Sequence, residues 1–228
     1  MHDLSLYGHI TLDNIKDDNI LNSSIGSIGN LWFCLKSTNP NLQINLQPTE
    51  FGKADIFIDR KNSKRDSEAQ LSLHVIEPKI LPSKWHHIIY INELKNLDFV
   101  KKIETGILSA DFCKGKNIKN IEILKKFDFI FISDEDLFMD LSEMSKLVKK
   151  GVIMHHTEGS EYYENGSKKF VTNIKKIKNI NVLGCGDMFA SFFIDNHLKN
   201  SNIQNSIKLA HEKVTEQLMI AQKNDNRS

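Results

Sequence analysis

The chain has few cysteines and no pattern among them. Cys34, Cys113 and Cys185 are odd in number and lack CxxC spacing, which argues against a disulfide framework or a structural zinc site. A reduced cytoplasm is the expected setting. Charge of one sign is also missing: Lys and Arg total 30 against 29 Asp and Glu, a net charge of +1. No long-range field gathers nucleic acid or an anionic membrane, so neither is an expected partner, and any anion must be held by a local site. No window reaches the ~18 apolar residues of a membrane span, and the opening MHDLSLYGHITLDNI lacks the basic start and apolar run of a signal peptide. The nine histidines include the pairs His86-His87 and His155-His156 but no HxH or HExxH spacing. Both pairs fall at strand ends, where solvent or backbone partners are the ordinary explanation. There is no internal repeat and no low-complexity segment.

What is present suits an ordinary globular core. The 228 residues are 40% hydrophobic, consistent with one domain over 1–228. Short β-type runs recur at 4–10, 54–59, 71–76, 86–91, 106–111, 127–132 and 151–156. Several are continuously apolar, as strands covered on both faces are. Helical candidates lie at 93–103, 117–126 and 135–149, the last with Leu137, Leu141, Met144 and Val148 behind the acidic start Asp134, Glu135, Asp136. Strand and helix alternation from 86 to 198 predicts an α/β fold with a mainly parallel sheet. Residues 53–76 differ, because two strand candidates flank the polar RKNSKRDSEAQ with no apolar helix between them. That segment reads as a small β flap, a kind of element that often covers α/β active sites, or as an exposed hairpin with no role. Trp32, Phe33 and Leu35 read as the packing side of a helix, and KKIKN at 175–179 as a solvated loop.

The densest signal is Gly184-Cys185-Gly186-Asp187 before MFASFFIDNHL. Glycines there permit a tight turn, and the amides of residues 185–187 can point together at the start of the following helix, an anion site. Asp187 then lies at the mouth, placed to receive a proton from a hydroxyl nucleophile. The helix field makes it a weak base, which suffices in phosphoryl transfer through a loose transition state. The same four residues also fit a turn followed by an Asp N-cap.

GCGDMFAS resembles the GAGD-containing signature of the ribokinase-like, or PfkB, sugar and nucleoside kinases, in which the glycine turn forms an anion hole and the Asp is the catalytic base. Further segments occur in the family's order. YGHITLDNI resembles the first strand with a sugar-contacting Asp, here Asp13. SIGSIGNLW resembles the substrate-binding GGxxxN segment, placing Gly26, Ser27 and Asn30 near the acceptor. GILSAD resembles the strand ending in an Asp, here Asp111, and HHTEGSEYYENG the TxGxxG nucleotide loop, at Thr157 and Gly159. The resemblance implies a three-layer α/β/α fold with a β lid at about 53–76. It also implies ATP and Mg2+ as cofactors, a small sugar-like or nucleoside-like acceptor, and a homodimer formed through the lid.

Several positions depart from that pattern. The Asp-Thr that often opens the signature is Asn181-Val182, which removes two oxygen ligands for a monovalent cation. The NxxE motif becomes Ser133 to Asp136, with Asp136, or Glu135 in part, left to organise metal through water. Tyr162 stands where the second nucleotide-loop glycine falls, able to stack on adenine or to block it. Cys185 replaces a frequent Ala, with a thiol pKa drawn downward at a helix start. The connection from Asn30 to the flap is short, and the βα units usual there are missing. The expected function is γ-phosphoryl transfer from ATP to an acceptor hydroxyl; the alternative is a non-catalytic ligand-binding protein that keeps the kinase fold.

Overall fold

The computed structural model describes residues 1–228 except 18–19, 62–63, 113–117, 119, 175–176, 178–180 and 226–228. Its strands are β1 (His2–Asp17), β2 (Ile20–Ile25), β3 (Ile44–Asp59), β4 (Lys64–Leu71), β5 (Ser83–Ile88), β6 (Ile107–Asp111), β7 (Phe129–Ser133), β8 (Gly151–His156), β9 (Gly159–Glu164) and β10 (Ser167–Asn173). Its α-helices are α1 (Ile28–Thr38), α2 (Asp98–Lys101), α3 (Leu141–Leu147), α4 (Cys185–Asn200) and α5 (Ile203–Asp225). All ten strands join one sheet in the order β10-β9-β8-β7-β6-β5-β1-β3-β4, with β2 paired to β1. From β8 through β3 each neighbouring pair is parallel, and the flanking strands β9, β10, β4 and β2 are antiparallel.

The apolar strands are covered on both sides. Leu4 and Leu6 of β1, Trp85 of β5 and Phe129 and Phe131 of β7 face α1, α4 and α5, where Ile28, Leu31, Phe192, Phe193 and Ile207 meet them. Tyr7, Ile88, Ile130, Ile132 and Met154 face the other way, onto Phe99, Val100, Leu124, Leu141 and Met144. Burying each such side chain stabilises the fold by roughly 2 kcal/mol. Helical cover on this second side is shorter than the sequence suggests. The candidates at 93–103, 117–126 and 135–149 become α2, a 3-10 turn at Ile121–Lys126, and α3 behind a 3-10 turn at Asp134–Asp136. Asp140 caps α3 by accepting from the Glu143 amide at 3.1 Å, so Leu137 stays outside the helix and 42% exposed.

Two strands overrun the core. Residues 2–7 of β1 pair with β5, and residues 12–17 continue past it to pair with β2. β3 accompanies β1 along nearly its whole length with a register shift at Gly8/His9, and its outer half pairs with β4. The result is a four-stranded lid over the end of the sheet. The flap expected at 53–76 is therefore present, but its returning strand is the polar KRDSEAQL at 64–71, not LSLHVI at 71–76, where Leu73 is 94% exposed. The connection after Asn30 holds the start of β3, at Ile44. On α1 the buried residues are Ile28, Leu31, Cys34 and Leu35, while Trp32 and Phe33 are exposed. The helix thus presents a different stripe to the core than Trp32-Phe33-Leu35. Among the described residues no helix is long and apolar enough to cross a membrane.

Candidate active site

The turn before α4 is built as its glycines require. Gly184 is the N-cap of α4 in the left-handed region, φ 75, and a Cβ there would lie 2.7 Å from the Asn30 amide nitrogen. The Cys185 amide donates to the Val182 carbonyl at 3.1 Å, so it is spent in closing the turn. The anion position falls to the amides after it, which a helix's first turn leaves without intrahelical acceptors. Asp187 is not the cap of this helix. It lies inside the first turn, 5% exposed, where its Oδ2 accepts from Asn30 Nδ2 at 2.8 Å and its Oδ1 from the Tyr90 hydroxyl at 3.1 Å. The N-cap reading of GCGD is thereby corrected: Gly184 caps through its backbone, and the carboxylate turns toward other elements.

Asn30 comes from α1, whose entry is shaped by the segment SIGSIGN. A Cβ on Gly26 would meet Asp13 Oδ2 at 2.3 Å and Thr11 Oγ1 at 2.4 Å, so only glycine lets this backbone lie against β1. Asp13 itself is buried at 6% exposure in the lid half of β1. Ser27 is the N-cap of α1, with φ 55.

These groups open into one cleft of about 580 Å3 between the sheet's end and the lid. Its walls include Asp13, Gly26, Ser27, Asn30, Asp111, Glu135, Asp136, Thr157, Gly184, Cys185, Gly186 and Asp187. Of the residues singled out in the sequence, Gly159 is not on that wall. It begins β9 with φ 145, where a side chain would run into the Thr172 carbonyl, so hairpin packing accounts for it. Tyr162 lies in the core, 3% exposed, its hydroxyl donating to the Lys150 carbonyl at 2.9 Å and its ring 5.1 Å from Phe170. It neither stacks on a ligand nor blocks one. Asp136 accepts from Ser133 Oγ at 2.7 Å. No group of three metal-ligating side chains converges among the described residues. Magnesium needs only one or two carboxylates when waters and phosphates fill its remaining positions, a demand Asp136 and Glu135 can meet. Of KKIKN, only Ile177 lies within the described residues, and Cys113 lies outside them.

The structure adds residues that no sequence pattern marked. His9 of β1 sits beside Glu93, with Nε2 to Oε2 at 3.9 Å, and its ring lies 5.6 Å from that of Tyr90. The histidine pairs are not solvent-facing strand ends. His86 and His87 are buried, bonded to the Tyr7 hydroxyl at 2.9 Å and to Ser109 at 2.8 Å, whereas His155 and His156 line the cleft. His155 packs 5.4 Å from Phe189, and removal from water, with His211 and His156 nearby, pushes its imidazole down to about 3. At the far end Ile174, Ile177, Val182, Val214 and Leu218 form an apolar wall. His211 of α5 stands in it 5% exposed, and its Nε2 has no hydrogen-bond partner among the described residues. No lysine or arginine lines the cleft among the described residues.

Parallel sheet, two helical layers and a lid of overrunning strands above a glycine turn define the ribokinase-like fold, and comparison with solved structures gives the same answer. No family model matches the chain, and no curated protein matches it by sequence. It is similar in structure to ribokinase from Thermotoga maritima, with a TM-score of 0.70 and 15% identity over 91% of this chain and 89% of that one. A pyrophosphate-dependent kinase of the ribokinase family superposes with a TM-score of 0.69 and 14% identity, over 95% of each chain. Fructokinase from Vibrio cholerae O395, bound to fructose, ADP and calcium ion, gives 0.64 and 14% over 92% of this chain and 90% of that one.

Proposed function

We propose that the chain is an ATP-dependent, magnesium-requiring phosphotransferase that moves the γ-phosphoryl group to a hydroxyl of a small sugar-like or nucleoside-like acceptor. The observation that carries this reading is Asp187: a buried carboxylate in the first turn of α4, tied by Asn30 to the Asp13–Gly26 corner and open to a cleft that reaches His211. Asp13 and the α1 entry orient the acceptor. Its oxygen bonds to the γ-phosphorus as the bond to the ADP oxygen breaks, and its proton passes to Asp187. First-turn amides of α4 stabilise the migrating phosphoryl. Thr157, on the cleft wall, belongs to the nucleotide side. Asp136 and Glu135 would hold, through water, a magnesium ion that would supply charge neutralisation at the phosphates.

The apolar wall and the His211 nitrogen, which has no partner among the described residues, favour a donor with a nucleobase over bare pyrophosphate, which presents nothing but charge to that end. Lack of a lysine or arginine among the described lining favours an acceptor that carries no phosphate of its own.

Transfer from γ-labelled ATP with magnesium into a panel of sugars, nucleosides, amino sugars and sugar phosphates tests this directly. Label in a phosphate-free acceptor, lost in Asp187→Asn, is the expected result. No transfer to any acceptor, together with no ATP binding, overturns the reading in favour of a non-catalytic ligand-binding protein.

A further inference from the structure

Resting on the kinase reading, we infer that Tyr90 is a positioning residue which, with Asn30, fixes the Asp187 carboxylate in the orientation that receives the acceptor's proton. The two donors divide the carboxylate between them, Tyr90 on Oδ1 at 3.1 Å and Asn30 on Oδ2 at 2.8 Å. They arrive from different elements, α1 and the segment after β5, so rotation of the carboxylate breaks at least one bond. An ionised carboxylate has about four lone-pair sites, and this clamp engages one on each oxygen.

The backbone is a second and independent observation. Tyr90 has φ 50, a left-handed conformation that costs a non-glycine residue roughly 1–2 kcal/mol. Glycine would relieve that cost, yet a side chain is kept. Strand β5 ends at Ile88, the Ile91 amide bonds to the Asp111 carbonyl at 3.0 Å, and Glu93 closes a turn on the Tyr90 carbonyl at 2.8 Å. The left-handed residue between them turns the phenol off the sheet's end and over His9 toward α4. Strain of this sort is retained where the side chain's placement offsets it.

Other titratable groups surround the pair, with Asp13 and Glu93 lining the same cleft. Cys34 of α1 senses the Asp187 charge and, chiefly through burial, is pushed up to about 12, while His155 of β8 is held neutral. The donors Tyr90 and Asn30 hold the carboxylate in one orientation.

The test is Tyr90→Phe, which keeps the ring and removes only the hydroxyl. Turnover is expected to fall about tenfold, as loss of one charge-assisted hydrogen bond predicts, with KM for ATP and Tm nearly unchanged. The Asp187 carboxyl, followed by carbon NMR in wild type and variant, is expected to titrate at higher pH without the donor. An unmoved titration overturns the inference whether or not the protein turns over. A raised titration with unchanged kcat overturns it as well. Wild-type protein with no kinase activity sinks the proposed function, while the titration still decides whether Tyr90 holds the carboxylate.

Discussion

Asp187 draws its role from a position three residues into α4, where helix amides and two side-chain donors meet on one carboxylate. Asp187→Asn keeps the volume and can still accept a bond, but cannot take a proton. Its kcat is expected to fall by roughly 10²–10⁴, the range for losing a general base, while calorimetry finds nucleotide affinity within a few-fold of wild type. Undiminished kcat would remove Asp187 from the chemistry. The proposed base was legible in the sequence because GCGD concentrates glycines and a carboxylate in four adjacent positions. Tyr90 was not, because it lies 97 residues from its partner, and no local pattern marks a tyrosine that works through the fold. His9 and Glu93 escaped for the same reason: a histidine in YGHI reads as a strand residue until topology brings it beside another loop.

Among the elements, the Gly184 turn joins backbone conformation to site geometry. Gly184→Ala must place a methyl at φ 75 and 2.7 Å from the Asn30 amide. The expected cost is about 1–2 kcal/mol of stability, read as a lower urea midpoint with an unchanged m-value, accompanied by reduced turnover as Asn30 is displaced from Asp187. A variant as stable and active as wild type would show that the turn has slack the geometry denies. Sequence reading found the buried strands well, since two-sided burial writes itself as continuous apolar runs such as FDFIFI. The second lid strand is harder to read because β4 is an edge strand with polar side chains, held by backbone pairing to β3, whereas LSLHVI has strand-like composition but beyond Leu71 keeps only scattered backbone bonds to β3, from Ser72 to Phe51 and from Ile76 to Thr49. Sequence reading overextended the helix at 135–149 because periodicity does not reveal that Asp140 caps a later start.

At the scale of the molecule, buried histidines couple stability to pH. His87 is fully buried and pushed down to about 3, and His211 to about 4, each from an ordinary value of 6.5, with desolvation the main cause. Below pH 6.5 the unfolded chain takes up protons that the folded chain refuses. Their contribution is therefore fully present above that pH and is lost as pH falls toward the folded values, by up to about 1.4 kcal/mol per pH unit for each group. Urea midpoints measured from pH 7.5 down to 5 should fall, and His87→Asn should flatten the decline; an equal slope in the variant would clear His87 of the effect. The lid supports a second expectation at this scale. Leu21 and Phe57 stand on either side of Lys16 in the strand register, 72% and 44% exposed, with the Lys16 ammonium 4.7 Å from the Phe57 ring centre, two apolar side chains offered to a second copy of the chain. Sedimentation of wild type as a dimer and of Phe57→Asp as a monomer is expected, and a wild-type monomer at high concentration would remove the lid from assembly.

Because β1 and β3 run unbroken from the core into the lid, the lid is a cantilever rather than a door on a loop. Bending it loads the Gly8/His9 register shift, and His9 leans on the Tyr90 ring. An acceptor settling under the outer strands would thus press, through one continuous beam, on the side chain proposed to aim Asp187.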